Sequence, residues 1–485
     1  MSTLWRTRDG LALLTDFYEL TMMAGYLKED RADLRVCFEY FFRHLPPHAG
    51  FAVAAGLNPF LDYLEHLRFT DDDIAYLRSL DVFDEDFFAY LRGFSPTCTV
   101  RAIAEGTLVF PHEPIVQIEG AMFEAQFIET ALLNMLNFQT LIATKAARVC
   151  LAADGDPVME FGLRRAHGPD GGLSGSRAAY IGGCTSTSNV LAGKIYDIPV
   201  SGTHAHSWVM SFADELEAFR AFARHYPDRC VLLADTYDTI ASGVPNAIQT
   251  FKEMHARGLN TRPAIRLDSG DLAKLSKIAY HMMRDAGFDD PLIVGSNDLD
   301  EDLIADLKRQ GAKINAWGVG THLITSSDCP ALSGVYKLVA LEQDGTWQPR
   351  IKISSNLTKA TNPGRKQVVR YYGEDNTPLG DVLYDIDEPY ARDGVARGRD
   401  AIQPHRGVRL RHATRAEPLL ETVFENGKRI NAQSPIKDIR ARYLVQSSTL
   451  PEEYKRLRNP EIYRVILSER IGALKDELLK SPETV

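Results

Sequence analysis

Residues 263–296 read PAIRLDSGDLAKLSKIAYHMMRDAGFDDPLIVGS, and this stretch decides the fold. Two short apolar runs, PAIRLD and PLIVGS, flank a helical pattern from Leu272 to Gly287. Each run ends on polar or small residues. Strand, helix and second strand in this order make one parallel βα unit. The strands are near-continuous hydrophobic runs, as expected when both faces of a sheet are covered.

The same rhythm extends in both directions. Further apolar runs stand at PVMEFGL (157–163), IPVSG (198–202), CVLLAD (230–235) and INAWGV (314–319). Helical patterns lie at DELEAFRAFARHY (214–226), PNAIQTFKEMHARG (245–258) and DEDLIADLKRQG (300–311). Six such units suit a closed or irregular (β/α) barrel better than an open sheet, because no GxGxxG fingerprint follows the first strand. Outside them the character changes. Residues 11–91 read mainly as helix, 99–119 as short strands, and 124–152 as one long helix. From Tyr336 the pattern becomes antiparallel, with Asp344-Gly345 as a turn signal, and Pro451–Lys480 reads as charged helix. The expected divisions are 1–120, 121–335 with the active site, and 336–485 packing back on the first segment.

Bulk properties narrow the function. The chain has 485 residues, 45% of them hydrophobic, enough for more than one domain. A net charge of −10 argues against general nucleic-acid or anionic-membrane binding. Seven arginines between Arg392 and Arg415 form a local exception, read as a solvated loop or edge strand. The six cysteines are scattered without a CxxC pair, which fits free thiols in a reducing compartment. MSTLWRTRDG lacks an apolar leader core, and no run of 18 apolar residues occurs, so a cytoplasmic protein is expected.

In parallel βα folds, chemistry gathers at the carboxyl ends of the strands. Here those ends carry Arg164 and Arg165, SGTHAHS, Asp235, Arg266 with Asp268 and Asp271, Gly295-Ser296, and GVGT. Gly318, Gly320, Thr321, Gly295 and Ser296 are small enough for backbone N–H groups to surround phosphate oxygens. Asp235, Asp268 and Asp271 are hard oxygen ligands for Mg²⁺ on a phosphorylated substrate, or else helix caps and turn formers.

The motifs LLTDFYELTMM (13–23), EFGLRRAHGPDGG (160–172), GGCTSTSNVLAGK (182–194), GTHAHS, RLDSGDL, WGVGTHLITS and NPGRKQVVR (362–370) together resemble nicotinate phosphoribosyltransferase. The resemblance runs from about residue 11 to past residue 440. It implies a type II phosphoribosyltransferase-like fold: an irregular α/β barrel plus an α+β domain built from N-terminal and later segments. The implied activity makes nicotinate mononucleotide and pyrophosphate from nicotinate and phosphoribosyl pyrophosphate, coupled to ATP hydrolysis, with Mg²⁺. It also implies a homodimer with shared active sites, in which Tyr18 from the partner subunit faces the pyridine ring and Phe161 packs opposite. Arg266 and Thr203 would touch nicotinate, and Arg164 and Thr321 the phosphate groups. His206 matches the family's transiently phosphorylated histidine.

The residues support these roles separately. Aromatic groups sandwich a flat ring, and a guanidinium holds a carboxylate. Tyr18 also has a core reading among Leu13, Leu14, Phe17 and Met22, which the neighbouring Asp16 and Glu19 oppose. His204 is read either as a core histidine or as part of the site. No third ligand stands near the His-x-His pair, so His206 is read as a nucleophile toward the ATP γ-phosphoryl group. Four enzymes remain as rivals. A nicotinamide-specific enzyme would be expected to place a carboxylate in Thr185–Asn189, where none occurs. A decarboxylating quinolinate enzyme would need a more basic pocket. A barrel oxidoreductase or an aldolase is the alternative class, and no strand-end lysine or histidine-rich metal set supports the aldolase.

Overall fold

The computed structural model describes residues 11–353, 360–403 and 405–480. The ten N-terminal residues on which the leader reading rests lie outside them. The chain divides into two compact units, residues 145–330 and residues 1–144 with 331–485. The expected divisions at 120/121 and 335/336 compare with these at 144/145 and 330/331.

The unit of residues 145–330 holds a six-stranded parallel sheet. Its order is Ser186–Thr187, Val158–Glu160, Ala316–Val319, Leu292–Gly295, Ala264–Leu267, Val231–Leu233. Register is set by apolar partners such as Ile293 opposite Ile265 and Trp317 opposite Val158. Helices Glu215–His225, Val244–Ala256, Leu272–Asp285 and Glu301–Arg309 follow the strands at the expected places. Asp214, Asp271 and Asp300 cap three of them by accepting a hydrogen bond from the third helical N–H.

One expected strand is different. The segment IPVSG forms only a single parallel bridge, Val200 to Thr187. The strand in this place is the polar pair Ser186–Thr187 from the TSTSN segment. The 200–204 segment nevertheless ties the two edges of the sheet together. Val200 bridges to the edge strand Ser186–Thr187, and His204 accepts a hydrogen bond at Nε2 from the Leu233 N–H of the opposite edge strand, at 3.2 Å. A side chain therefore completes at this seam what backbone pairing does elsewhere.

Among the described residues, the other unit contains two large sheets and a two-stranded pairing of Ala52–Val53 with Leu108–Val109. The larger is antiparallel and ordered Thr346–Pro349, Gly334–Gln343, Arg35–Phe42, Val116–Ala121, Thr99–Ile103, Leu420–Glu425, Lys428–Arg429. Asp344 and Gly345, both with positive φ, make the expected hairpin turn. The strand Arg35–Phe42 overturns the helical reading of that segment: RVCFEYFF buries all but its first residue and carries no alternation to betray it. Likewise the expected helix 124–152 is two, Met122–Phe127 and Glu129–Ala153, because Ile128 sits at ψ −3°. The six-stranded sheet places Gly394–Asp400 between the edge strand Gly407–Ala413 and the short strand Val465–Leu467, which lies inside the stretch read as wholly helical. Its core is formed by Val369, Tyr371, Val382, Tyr384, Leu410 and Ile466. In the NPGRK motif the fully buried Lys366 ammonium donates to the carbonyls of Asn362 and Gly364, each at 2.7 Å, and pairs with Glu39 at 2.9 Å. Those partners satisfy a charge that burial would otherwise make costly. Among the described residues, no helix is long and apolar enough to cross a membrane.

Candidate active site

Arg266 is the centre of the strand-end cluster. It projects from Ala264–Leu267, and its guanidinium spends its fork on three partners. Nε donates to Ser296 Oγ at 2.8 Å, Nη1 to Thr203 Oγ1 at 3.1 Å, and Nη2 to Asp268 Oδ1 at 2.8 Å. The guanidinium carbon also lies 5.8 Å from the centroid of the Phe161 ring. Four of the predicted residues thus converge on one side chain: Arg266 brings together Thr203, Phe161, Asp268 and Ser296.

Asp268 is held from several sides. Burial pushes its carboxyl upward, but the Ser296 hydroxyl, at 2.5 Å, and the Arg266 charge outweigh it, and the net displacement is downward. Its backbone N–H donates to Asp235 Oδ2 at 2.8 Å, and Ser269 Oγ donates to the same oxygen at 2.6 Å. The second oxygen of buried Asp235, Oδ1, has no hydrogen-bond partner. Asp271 is different: it is exposed, and its Oδ1 caps the helix Leu272–Asp285 through Lys274 N–H at 3.0 Å. Among the described residues, no group of three or more His, Cys, Asp or Glu side chains could by itself hold a metal ion.

The two histidines of GTHAHS part company. His204 is only 7% exposed and packs against Phe219 and Phe222. Because Nε2 accepts from Leu233, Nδ1 carries the proton and faces the Ala205 carbonyl at 3.4 Å. Burial holds its pKa down at about 4, so it is neutral. Of the two readings, the core one describes it. His206 opens the helix His206–Met210 with its side chain 41% exposed. Its Nδ1 lies 3.1 Å from Thr236 Oγ1, and its Nε2 lies 3.8 Å from Asp268 Oδ2. An exposed imidazole between a hydroxyl and a carboxylate has the surroundings of a general base or nucleophile.

The glycines have packing reasons of their own. A Cβ at Gly318 would stand 2.7 Å from the Phe161 ring, and one at Gly295 would meet the Ile314 side chain at 2.9 Å. Gly320 precedes Thr321, which begins the short helix Thr321–Ile324. Arg164 is exposed in the single turn Leu163–Arg165, next to the glycine-rich helix Gly168–Ile181.

Tyr18 belongs to the other unit, in the first turn of the helix Phe17–Lys28. It is 46% exposed, and its neighbour Glu19 is fully buried. The core reading of Tyr18 therefore fails, and so does the assumption that Glu19 would mark an exposed face. Burial holds the Glu19 carboxyl up at about 7, against hydrogen bonds from Gln126 and Tyr18.

Sequence reasoning missed Glu160. Fully buried at the end of Val158–Glu160, it accepts from the Gly162 N–H, from Ser176 Oγ at 2.8 Å and from Thr187 Oγ1 at 2.6 Å. It thereby brackets Phe161 and fixes the TSTSN segment. Its one signal was an acid inside an apolar run. Thr236, beside His206, had no signal beyond following Asp235.

A parallel strand-end site of guanidinium, carboxylates and imidazole, on a chain that also carries an α+β unit, is the type II phosphoribosyltransferase-like arrangement. Three models of nicotinate phosphoribosyltransferase (NAPRTase) match: its N-terminal domain at residues 13–137, the family at 157–377 and its C-terminal domain at 365–475. The nicotinate phosphoribosyltransferase of Bacillus subtilis is 46% identical over 95% of this chain and 94% of its own. That of Homo sapiens is 35% identical over 96% of each. The crystal structure of human nicotinic acid phosphoribosyltransferase superposes with a TM-score of 0.83 at 34% identity, covering 96% of this chain and 99% of that one. This chain belongs to the nicotinate phosphoribosyltransferase family. The nicotinate-nucleotide pyrophosphorylase of Pyrococcus furiosus shares the fold, with a TM-score of 0.67 at 24% identity over 90% of this chain and 95% of that one.

Proposed function

We propose that this protein is a cytoplasmic enzyme that transfers the phosphoribosyl group of phosphoribosyl pyrophosphate to nicotinate, the first step of NAD salvage. The pyridine nitrogen attacks the anomeric carbon, the bond from that carbon to the pyrophosphate oxygen breaks, and nicotinate mononucleotide and pyrophosphate leave. The observation that carries the reading is Arg266, anchored by Ser296, Thr203 and Asp268 against the face of Phe161. A guanidinium fixed in this way can meet a carboxylate while the ring stacks beside it. Acidity at Thr185–Asn189 is absent, and Glu160, the carboxylate bonded to Thr187, is consumed by its own three donors. An anionic acceptor is favoured over its amide on that ground.

Oxocarbenium-like charge on the ribose would be met by positioned groups and not by proton transfer. Arg164, Thr321 and the backbone at Gly295–Ser296 and Gly318–Gly320 would receive the phosphates. The donor set fits Mg²⁺: Asp235 keeps a buried oxygen without a partner, and Asp268 adjoins it, whereas Asp271 is engaged as a cap. Bound with pyrophosphate, Mg²⁺ would neutralise the charge of the leaving group. His206 would take the γ-phosphoryl group of ATP on an imidazole nitrogen, releasing ADP, with Asp268 and Thr236 orienting the ring. The enzyme would act as a homodimer in which Tyr18 of the partner subunit closes the nicotinate pocket opposite Phe161. No nucleic-acid or membrane role is proposed.

The test offers nicotinate, nicotinamide and quinolinate separately, each with and without ATP. Turnover of nicotinate above the others, stimulated by ATP, is expected. With labelled ATP, the protein should gain an acid-labile, base-stable phosphate that His206→Ala loses and His204→Ala keeps. Equal or faster turnover of nicotinamide would overturn the acceptor, and a label surviving in the His206 variant would overturn the nucleophile.

A further inference from the structure

The arginine-rich stretch 392–415, to which the proposed reaction assigns no role, includes the strands Gly394–Asp400 and Gly407–Ala413, paired at one edge of the six-stranded sheet. In its register Arg397 stands directly opposite Arg409. Both are exposed, and neither has a hydrogen bond or ion pair to its side chain among the described residues. Like charges directly across a ladder repel and destabilise the pair. The cost is unexplained by folding. Nearby Arg399 shows the alternative, since it is paired with Asp476.

Arg409 of this pair lines a cavity of about 310 Å³, within the range of small-molecule sites. Three arginines line it, Arg406, Arg409 and Arg464, and none has an ion-pair partner among the described residues. Two acids also line it. Asp400 is engaged, with Oδ1 accepting from the backbone N–H groups of Ile402 and Gln403, each at 2.8 Å. Glu461 limits the net positive charge of the wall. Ile462, 71% exposed, supplies an apolar edge. A second cavity of about 320 Å³ shares Ile402 and Glu461–Tyr463 with the first, so the groove continues.

We propose that this groove, in the unit of residues 1–144 and 331–485, is a second anion site for a small phosphorylated molecule, distinct from the strand-end site. Arginine forks suit phosphate oxygens, and a phosphate held by Arg406, Arg409 and Arg464 would offset the charge that Arg409 sets against Arg397. An extended polyanion such as nucleic acid is disfavoured by the two acids in the wall and by the chain's net charge of −10. The proposal does not rest on the transfer reaction.

The experiment adds inorganic tripolyphosphate to the full-length protein and follows hydrogen–deuterium exchange by peptide, which separates this groove from the strand ends. Slower exchange is expected in peptides covering 394–413 and 461–467. Arg406→Ala/Arg409→Ala should lose that protection at least tenfold in tripolyphosphate concentration, while any protection at 264–271 stays. Arg409→Ala alone should leave Tm unchanged or raise it, because it removes a repulsion. Protection confined to the strand-end peptides, protection unchanged in the double variant, or a lowered Tm for Arg409→Ala would each overturn the site. So would protection by a single-stranded oligonucleotide but not by tripolyphosphate.

Discussion

Acidification should open the seam at His204. The imidazole is buried, holds the Leu233 N–H through Nε2, and has a pKa of about 4 against a usual 6.5. The folded value lies below the unfolded one, so on acidification the unfolded chain takes up the proton first. The stabilisation is complete above pH 6.5 and is lost as pH falls toward 4. At 1.36 kcal/mol per unit, the displacement corresponds to about 3 kcal/mol as an upper figure. That is roughly a hundredfold or more in local opening. The same proton removes the acceptor at Nε2, so the Leu233 amide is the natural reporter. Exchange of a peptide spanning 231–235, corrected for intrinsic rates, should lose protection between pH 6.5 and 4.5 relative to strand Leu292–Gly295. His204→Asn, which cannot titrate, should start less protected at neutral pH, because it gives up contacts with Phe219 and Phe222. Its profile should then be flat. A gap between wild type and His204→Asn that stays constant across this range would refute the reasoning.

Three further outcomes follow from the same geometry. Gly318→Ala places a Cβ 2.7 Å from the Phe161 ring, and displacing the ring should raise the KM for nicotinate about tenfold, in line with overpacking costs of about 1–3 kcal/mol; an unchanged KM would count against Phe161 as the ring platform. Arg266→Lys keeps the charge but loses the fork to Ser296, Thr203 and Asp268, so kcat/KM should fall by about two orders of magnitude with circular dichroism unchanged, and a loss under fivefold would contradict the central role of the guanidinium. Glu19 has a folded pKa raised to about 7 by burial, so its contribution is present below about 4.5 and is lost as pH rises through 7; Glu19→Gln should gain Tm relative to wild type as pH rises from 4.5 to 7 and hold that gain above 7, whereas a difference unchanged between pH 4.5 and 7 would refute it.

Much of this was legible in the sequence, for physical reasons that vary by element. The buried strands Ala264–Leu267 and Leu292–Gly295 announced themselves because parallel strands are apolar throughout and their ends must be polar. Arg266 and Asp268 could be chosen from those ends without coordinates, whereas Thr203 and Phe161 came from the family resemblance of their motifs. Arg35–Phe42 could not, since a strand buried along its length has no period to separate it from a buried helix. Ser186–Thr187 is strand through pairing with Met159 and Glu160, although its own residues read as loop. Glu19 and Tyr18 exchanged places: adjacent residues at a helix start face different ways, and composition does not say which way is in. Val465–Leu467 was three residues inside a charged stretch, below the length at which pattern carries information.

The pairing of Arg35–Phe42 also sets a timetable for synthesis. One neighbour, Val116–Ala121, leaves the ribosome soon after it, but the other begins at Gly334, the partner of Phe42, after the whole unit of residues 145–330 has been made. At about 5–20 residues per second, the apolar edge RVCFEYFF waits on the order of tens of seconds for its second partner. During that interval the unit of residues 145–330 is complete in sequence, while the unit of residues 1–144 and 331–485 is not. A nascent chain arrested before residue 334 should therefore recruit a holdase chaperone at this edge, and one arrested past residue 350 should release it.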